Sequence, residues 1–388
     1  MKAKELNIVY IGPLSFPYGY ASTKRRKYMI DYMNKNKISA HVLSTRYKKN
    51  SKLKNPQSGF YGETDFFDLS IFFWQKNYIR YYKEGKRKLK EWYNSSKNNI
   101  LIFHTSLPIE DLFFFLFAKK IGYKIIFDQV ETSYKAEGTN ISFKRKCYIT
   151  LNDWISNYAY KKCNGSFVIS NSLYSQNKAK YPNMPLCILP NSTPILSISK
   201  KEVFNKPMKI LYSGTYAPKD GVKFLVEGFI KAINKGINCQ LILSGEGNKK
   251  DMQPILNRIQ NISQIKYIGF VSDEKLIEIM NDCDVLTMTR TNSVFANYGF
   301  PFKLSEYLAT GNLVLATKVG DVCLYLKHKY DAILIEPESS DQISDALSYI
   351  SNNEKECIQI ANNGLQTMKK YFSINTIGDI FVKFLSNI

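Results

Sequence analysis

Short apolar runs alternate with amphipathic stretches of helical period along the whole chain. This alternation is typical of parallel β-sheets that carry helices on both faces. Two sets of such runs are present. The first set predicts strands at residues 6–11, 40–43, 100–103, 124–127, 166–169 and 186–189. The second set predicts strands at residues 209–213, 240–244, 265–268, 285–289, 314–317 and 332–335.

A stretch rich in Pro, Ser and Asn separates the two sets and is typical of a linker. We therefore predict an α/β fold with one domain at residues 1–195, a linker at 196–207 and a second domain at 208–372. Both domains would be doubly wound and Rossmann-like. If the carboxyl ends of their strands meet, they form one crevice, which is where open parallel sheets bind ligands.

Length and composition agree with this division and narrow the class of partner. A chain of 388 residues is too long for one ordinary core. Its net charge of +21 indicates polyanionic partners such as nucleic acid, an anionic membrane surface or phosphate-bearing substrates. Codon bias in an AT-rich genome, which favours Lys, Asn and Ile together, would explain part of that charge.

Location is predicted from the cysteines and the hydropathy. Seven scattered cysteines without a CxxC pair do not form a disulfide framework, so we expect a reduced, cytoplasmic location. The chain starts almost directly with an apolar strand instead of a signal peptide, and its most apolar run, 112–118, is too short to span a bilayer. We therefore expect at most peripheral contact with the inner face of the plasma membrane.

The segment from Tyr298 to Asp321 carries the strongest indication of chemistry. Gly and Pro break the chain before Lys303, and the apolar spacing that follows predicts a short helix with Lys303 and Glu306 in its first turns. A helix start favours anions, so a diphosphate could bind there with Lys303, while Glu306 could accept hydrogen bonds from ribose hydroxyls. Gly311 would end the helix. The alternative is an ordinary helix–turn–strand unit.

Arg290 follows a predicted strand and stands close in sequence to that helix. An Arg guanidinium can contact two phosphate oxygens at once, so Arg290 and Lys303 together would form a diphosphate clamp. A solvated surface Arg is the alternative.

The turn from Gly12 to Ser22 follows the first strand and precedes a helix with Lys24, Arg25 and Arg26. Gly19 in this turn would let the backbone approach a phosphate closely. The turn lacks the G-x-G-x-x-G pattern of dinucleotide sites, and a plain strand–helix connection is the alternative.

Two further residues are candidates at strand ends of the first domain. His104 closes one predicted strand and opens a loop, a position where a lone His could be a hydrogen-bonded structural residue. Glu131 lies past the end of the next strand and could equally be a loop carboxylate without a role. Asp282-Cys283-Asp284 resembles a D-x-D metal site, but it precedes a strand, at the wrong end of the sheet; we therefore predict no metal site.

Aromatic and basic residues are interleaved at 77–94, a mixture that suits the headgroup region of an anionic bilayer. An amphipathic helix packed on the first sheet, with its charges solvated, is the equal alternative. The residues predicted for the membrane and acceptor side are Lys86, Arg87, Lys88, Lys90 and Trp92.

The segment 298–321 resembles the donor-site motif of family 4 retaining glycosyltransferases of the GT-B fold, written G-x-P-x-K-x-x-E-Y-L-A-x-G-x-x-V. Tyr298 stands where the family commonly has a first Glu that is linked to the sugar ring. The resemblance implies donor binding by the motif residues Phe302, Lys303, Leu304 and Glu306, metal-independent transfer without a cofactor, and a terminal helix at 373–388 that crosses back to the first domain.

The resemblance also bears on residues outside the motif. The family's G-R-x-x-x-x-K-G pattern falls on 214–221, where Thr215 replaces the Arg and Lys219 stands one place early. We infer that Arg290 takes over the lost charge. Family members have a His near the reacting centre where His104 stands, and a Gly near the donor diphosphate and the acceptor where Gly19 stands.

We therefore predict a hexosyltransferase-type enzyme that moves a sugar from a nucleoside diphosphate donor to a lipid-linked or glycan acceptor in bacterial cell-surface polysaccharide synthesis. Two alternatives stay open: a nucleotide-sugar epimerase of the same fold, and a basic nucleic-acid-binding protein, for which no known module is visible. The base, the sugar and the acceptor do not follow from the sequence.

Overall fold

The computed structural model describes residues 5–19, 21–47, 55–130, 142–196 and 201–388. The chain divides into two compact units, Met1–Ser192 together with Ile377–Ile388, and Thr193–Thr376. Each unit has its own sheet and its own apolar core.

The first unit is built on an eight-stranded sheet in the order β3-β4-β2-β1-β5-β6-β7-β8, in which only β3 runs antiparallel to its neighbour. Its strands are β1 Leu6–Gly12, β2 Ser39–Ser44, β3 Ser58–Tyr61, β4 Thr64–Asp68, β5 Asn98–His104, β6 Lys124–Gln129, β7 Gly165–Val168 and β8 Leu186–Ile188. Its helices are α1 Ala21–Lys35, α2 Ser70–Trp74, α3 Tyr78–Glu91, α4 Leu112–Ile121, α5 Phe143–Lys162 and α6 Asn171–Lys180. Strands β1, β5 and β6 are buried along nearly their whole length because helices cover both faces of the sheet.

The second unit is built on a six-stranded parallel sheet in the order β11-β10-β9-β12-β13-β14. Its strands are β9 Met208–Ser213, β10 Cys239–Ser244, β11 Ile265–Gly269, β12 Val285–Met288, β13 Leu313–Thr317 and β14 Ile333–Ile335. Its helices are α7 Val222–Asn234, α8 Lys249–Ile259, α9 Asp273–Asp282, α10 Val294–Tyr298, α11 Phe302–Thr310, α12 Val322–Tyr325, α13 Ser340–Asn352 and α14 Glu354–Tyr371. Helices α7 and α13 pack closely at Gly228, where a Cβ atom would collide with Ile343.

The last helix, α15 Ile374–Ser386, packs on the first unit through its buried face. The Phe381 ring stacks on that of Phe167 at 5.0 Å. The Tyr32 hydroxyl donates a hydrogen bond to the Asp379 carboxylate at 2.5 Å. These contacts fix the C-terminal helix against the first sheet.

All twelve strands expected from the apolar runs are present, and the α/β fold with two parallel-sheet domains is confirmed. The hairpin of β3 and β4 was not predicted. Its sequence is interrupted by Gly59, Gly62 and charged residues, and β3 is half-exposed, so it lacks the apolar run that marks a buried parallel strand.

Candidate functional site

Helix α11 begins directly after Gly299-Phe300-Pro301 and carries Lys303 in its first turn. It ends at Gly311, whose φ of 75° is the left-handed conformation that glycine adopts without strain. The helix, its end at Gly311 and the strand that follows confirm the prediction from the sequence. The first turn of a helix directs its amide N–H groups outward at the positive end of the helix dipole, so this end of α11 favours an anion.

The ammonium group of Lys303 is largely desolvated and only loosely compensated. Its side chain is 16% exposed, and Nζ lies 4.4 Å from the ring centroid of Tyr212 and 3.9 Å from Asp220 Oδ1. Burial lowers the pKa of Lys303 to about 8, although the nearby Asp220 works in the opposite direction. An anion bound beside Nζ would favour the charged form, so the site is suited to binding one.

Glycine at position 214 makes room for Lys303. Strand β9 ends immediately before Gly214, and a Cβ atom at that position would collide with Lys303 Nζ. A Cβ atom at Gly245 would in turn collide with the Gly214 carbonyl oxygen. The two glycines therefore allow two strand ends and the Lys303 side chain to lie in contact.

The loop from Gly214 to Gly221 is tied to the end of β12. Thr289 Oγ1 donates to the Asp220 carbonyl at 3.2 Å, and the Thr291 amide donates to the Lys219 carbonyl at 3.0 Å. Thr215, predicted to bind the donor, directs its hydroxyl hydrogen to Asp220 Oδ2 at 2.5 Å. The contacts of Thr215 in this structure therefore hold the carboxylate that faces Lys303.

Arg290 lies near the start of α11. Its carbonyl accepts a hydrogen bond from Thr317 Oγ1 at 2.8 Å, which fixes its backbone against β13. Its guanidinium lies beside Gly299, where a Cβ atom would be 3.8 Å from Nη1. The positive charge of Arg290 contributes to the lowered pKa of Lys303. The structure thus brings together the two cations that the sequence proposed as a clamp.

Glu306 is buried in the second turn of α11, 8% exposed, and its charge acts on Lys303. The neighbouring Tyr307 anchors the helix to the end of β9. Its hydroxyl accepts from the Ser213 amide at 3.1 Å and donates to the Ser213 carbonyl at 3.2 Å. Lys303 and Glu306 therefore have a fixed position relative to the strand end.

Leu304, predicted to bind the donor, is a core residue. Its side chain is fully buried, and its amide donates to the Pro301 carbonyl at 3.1 Å. Neither group is available to a ligand, so we correct that assignment. Phe302 is partly buried at the first position of α11, and Lys219 is partly buried in the loop before α7.

The glycine turn of the first unit is held by its own side chains. Thr23 Oγ1 donates to the Ser15 carbonyl at 2.6 Å. A Cβ atom at Gly19 would collide with that hydroxyl. Gly19 therefore has a packing role, and the close approach of its backbone to a phosphate stays a prediction.

The cations that follow this turn are buried in an ion-pair network. Arg25 donates to both carboxylate oxygens of Asp128, at 2.9 and 3.2 Å, and also to the carbonyls of Leu189 and Pro190. Arg26 lies 3.4 Å from the same carboxylate. Burial works to raise the pKa of Asp128, but the two arginines outweigh it and the pKa stays below its ordinary value.

His104 ends β5 beside this network, and Arg26 Nη2 is in hydrogen-bond contact with its Nδ1. A guanidinium group can only donate, so Nδ1 is the acceptor and the ring proton resides on Nε2. Burial and the charge of Arg26 hold the pKa of His104 well below its ordinary value. The imidazole is therefore neutral and offers one N–H donor.

The three remaining carboxylates considered in the sequence, Glu131, Asp282 and Asp284, have different outcomes. Glu131 lies outside the described residues. Asp284 is fully buried and accepts from Lys201 Nζ at 2.8 Å and from the Lys209 amide at 2.7 Å, so its contacts are structural. Lys209 Nζ pairs with Asp282 at 2.8 Å. Within the described ranges, no group of three or more His, Cys, Asp or Glu residues is arranged to hold a metal ion.

Two of the five residues predicted for the membrane and acceptor side, Lys88 and Trp92, are buried. Trp92 is 5% exposed and donates to Asp65 Oδ2 at 2.7 Å. Lys88 is also buried, with Nζ 3.1 Å from the same carboxylate, and Arg87 pairs with two glutamates of its own helix. Lys86 and Lys90 remain exposed. The assignment of Lys88 and Trp92 to a membrane surface was wrong, because both side chains point inward and contact Asp65 on β4. Among the described residues, no helix is long and apolar enough to cross a bilayer.

The residues that the sequence did not single out are Tyr212, Asp220, Tyr307 and Asp128. Tyr212 and Tyr307 have the spacing of core residues, and only their hydroxyl partners distinguish them. The family pattern at 214–221 specifies an Arg and a Lys, so it gives no indication of Asp220, which immediately precedes Gly221.

These observations define a class: a two-unit α/β protein in which a helix start that favours an anion lies at the carboxyl end of the second sheet. Residues 196–367 match the model of the family described as glycosyl transferases group 1. The matched region covers most of the second unit, Thr193–Thr376.

Curated relatives align over less than half of the chain. An uncharacterized glycosyltransferase of Methanocaldococcus jannaschii is 26% identical over 161 residues, 42% of this chain and 43% of the relative. An N,N'-diacetylbacillosaminyl-diphospho-undecaprenol alpha-1,3-N-acetylgalactosaminyltransferase of Campylobacter jejuni is 19% identical over 180 residues, 46% of this chain and 41% of the relative. The chain thus spans less than half the length of these curated relatives.

Solved structures match nearly the whole chain. Anabaena HepE in complex with UDP has a TM-score of 0.72 at 12% identity, with 98% of this chain and 100% of HepE covered. TarM has a TM-score of 0.71 at 11% identity, with 98% of both chains covered. The fold is that of GT-B glycosyltransferases.

Proposed function

We propose that the protein is a glycosyltransferase that moves a sugar from a nucleoside diphosphate donor to a lipid-linked or glycan acceptor. The observation that carries this proposal is the loosely compensated ammonium of Lys303 beside Arg290, at the start of α11 in the region that matches the group 1 family model. The UDP and UDP-glucose complexes of the similar HepE structures support a nucleotide-sugar donor.

In this proposal Glu306 accepts hydrogen bonds from the ribose hydroxyls, while Lys303 and Arg290 bind the diphosphate. The diphosphate gains negative charge as the glycosidic bond breaks, so fixed cations beside it stabilise the transition state more than the ground state. These two cations would supply the charge that a divalent metal supplies in other transferases. Metal independence and retention of the anomeric configuration, as in family 4, are parts of the proposal.

His104 has a separate role in the proposal. Its neutral imidazole, with the proton on Nε2, would donate a hydrogen bond to a hydroxyl or ring substituent of the transferred sugar. The buried arginines behind it would hold that orientation. The reaction would occur at the cytoplasmic face of the plasma membrane, during synthesis of a bacterial surface polysaccharide. A diphospho-undecaprenol group in the name of the Campylobacter relative supports a lipid-linked acceptor.

A thermal-shift screen with UDP, GDP, ADP and their sugars identifies the donor, because a ligand that binds only the folded state raises the melting temperature. With the best base, we expect Arg290→Ala to weaken binding of the nucleoside diphosphate by about 10- to 100-fold and that of the nucleoside little, since charge-assisted contacts are worth roughly 1.5–3 kcal/mol. Calorimetric titration measures both, with Arg258→Ala, an exposed arginine of the same unit, as control. Equal weakening of nucleoside and diphosphate, or stabilisation by none of the nucleotides, would contradict the proposal.

A further inference from the structure

Helix α5 has a second apolar face that is not packed on its own unit. Ile155, Ala159 and Tyr160 are buried against the first sheet's core, as expected of an amphipathic helix. Other large apolar side chains of α5 are exposed, with Phe143 at 81% and Trp154 at 67%. Single exposed apolar residues are common, but a contiguous exposed apolar patch marks an interaction surface.

The exposed apolar residues of α5 lie on one face of the helix. They recur mostly at intervals of three or four residues, which is the spacing that brings side chains together on a helix surface. They are Phe143, Cys147, Tyr148, Leu151, Trp154 and Tyr158.

Helix α4 and the turn before it extend this face. Ile109, Phe113 and Leu116 are exposed there. The two helices are neighbours, since the Ile109 amide donates to Asn152 Oδ1 at 2.9 Å and the Leu107 amide donates to Ser156 Oγ at 3.1 Å. We call the exposed apolar residues of α4, its preceding turn and α5 the α4–α5 face.

Most charges near the α4–α5 face are positive, although Glu110 in the turn before α4 accepts a hydrogen bond from the Tyr148 hydroxyl at 2.9 Å. Helix α5 carries a single acidic residue, Asp153, whereas Lys144, Arg145 and Lys146 are exposed in its first turn. Lys119, Lys120, Lys161 and Lys162 are exposed at the ends of α4 and α5. Aromatic side chains flanked by lysines and arginines match the interface of a bilayer with anionic headgroups, because the rings enter the headgroup boundary and the cations contact the phosphates.

Helix α3 shows why these residues can be assigned to a membrane when the others cannot. Both helices combine basic and aromatic residues, but Trp92 beside α3 is 5% exposed and Lys88 is ion-paired, whereas Trp154 is 67% exposed. The exposed apolar residues of α3, Tyr78 and Ile79, are confined to its first turn, whereas those of α5 extend from Phe143 to Tyr158.

We propose that the α4–α5 face docks the protein on an anionic phospholipid bilayer. Phe143 and Trp154 enter the headgroup boundary, and the cations at 144–146 contact lipid phosphates. The inference deepens the proposed function, on whose lipid-linked acceptor it rests for its biological purpose, but docking itself requires no donor and no catalysis.

Co-sedimentation with vesicles tests the docking. The vesicles are phosphatidylcholine with or without a quarter of phosphatidylglycerol, at low salt and without nucleotide. We expect the wild-type protein to bind the anionic vesicles only. Phe143→Ser with Trp154→Ser should weaken this binding by roughly tenfold or more, since two large apolar side chains leave the interface. Lys144→Glu, Arg145→Glu and Lys146→Glu together should weaken it on the order of 100-fold, since each cation near such a surface contributes about a factor of five.

The matched control carries the same charge change on α3, as Lys83→Glu, Lys86→Glu and Lys90→Glu, and should lose much less binding. Thermal unfolding of every variant verifies the fold. A wild-type protein that stays in the supernatant, or α5 variants that bind no worse than the α3 control, would overturn the proposal. So would a lipid-free dimer that Phe143→Ser with Trp154→Ser converts to a monomer, because the face would then bind a second copy.

The same measurements separate this inference from the proposed function. Lys303→Ala should bind anionic vesicles as well as the wild-type protein does, although we expect it to transfer no sugar. Vesicle binding by a protein that no nucleotide stabilises would leave the docking intact and contradict the transferase. Transfer to a lipid acceptor without any vesicle binding would support the transferase and contradict the docking.

Discussion

Each unit of the protein places cations near the carboxyl ends of its parallel strands, but the two clusters are compensated very differently. In the first unit, Arg25 contacts both oxygens of a buried carboxylate, at 2.9 and 3.2 Å, and Arg26 lies 3.4 Å from the same group. In the second unit, Lys303 has an aromatic ring beneath it and its carboxylate contact, Asp220, lies 3.9 Å away.

This difference indicates which cations bind a ligand. An arginine whose donors are occupied by a carboxylate and by carbonyl groups cannot contact a phosphate without losing those bonds. A desolvated lysine with a distant counter-charge gains stabilisation when an anion arrives. We infer that Arg25 builds and orients the first site, whereas Lys303 binds the substrate in the second. Arg26 is less fully compensated than Arg25, since its buried Nε has no hydrogen-bond partner among the described residues.

The largest effect on stability should come from breaking the compensated cluster. Among the described residues, Arg25→Met leaves the buried Asp128 carboxylate with the longer ion-pair contact to Arg26. Removing one partner of a buried ion pair costs about 3–5 kcal/mol, so we expect a loss of this size in the free energy of unfolding. Urea denaturation measures it, and Lys235→Met, at an exposed ion pair, should change it by less than about 1 kcal/mol. A stable Arg25→Met protein would show that the network is dispensable.

Replacing Lys303 should have the opposite effect, a loss of turnover without a loss of stability. We expect Lys303→Met to lower turnover by about 100- to 1000-fold, as loss of a transition-state contact does, yet to leave the fold intact or more stable. The sign follows from the pKa: it is lower in the folded state than the ordinary 10.5, so folding a charged Lys303 is unfavourable near neutral pH. That penalty disappears as pH rises from about 8 toward the unfolded value, so the stability gain of Lys303→Met should shrink with it.

Steady-state kinetics and denaturation at several pH values measure both effects of Lys303→Met. Lys231→Met, at an exposed lysine of the same unit that pairs with Asp341 at 2.7 Å, is the control and should keep normal turnover. Near-normal turnover of Lys303→Met at saturating donor would remove Lys303 from the site.

A smaller effect is expected at the junction between the arginine network and His104. Arg26→Gln removes a positive charge and a donor beside Nδ1, so the pKa of His104 should rise while burial still keeps it low. Nitrogen NMR of the imidazole should show a neutral ring protonated on Nε2 in the wild-type protein and a mixture of tautomers in the variant. An Nδ1-protonated wild-type ring would contradict the positioning role of Arg26.

The contrast between the clusters also shows what the sequence could reveal. The helix start at Lys303 and its end at Gly311 were predictable because Gly, Pro and apolar spacing act locally. The burial of Arg25 was not, since its partner Asp128 is 103 residues away and nothing near Arg25 in sequence indicates it. For the same reason, the basic and aromatic residues at 77–94 predict a membrane surface, although contacts with the distant Asp65 keep Lys88 and Trp92 buried.

Proton uptake on nucleotide binding tests the central claim, that Lys303 is a diphosphate ligand, most directly. At about pH 8.5 a free Lys303 with a pKa near 8 is mostly neutral, and the bound diphosphate should restore its proton. Titration calorimetry in buffers of different ionisation enthalpy should therefore show uptake of a fraction of a proton by the wild-type protein. Lys303→Arg, which is charged at every such pH, should bind the diphosphate without that uptake. Equal uptake by both proteins, or none by the wild-type protein that binds, would contradict the account.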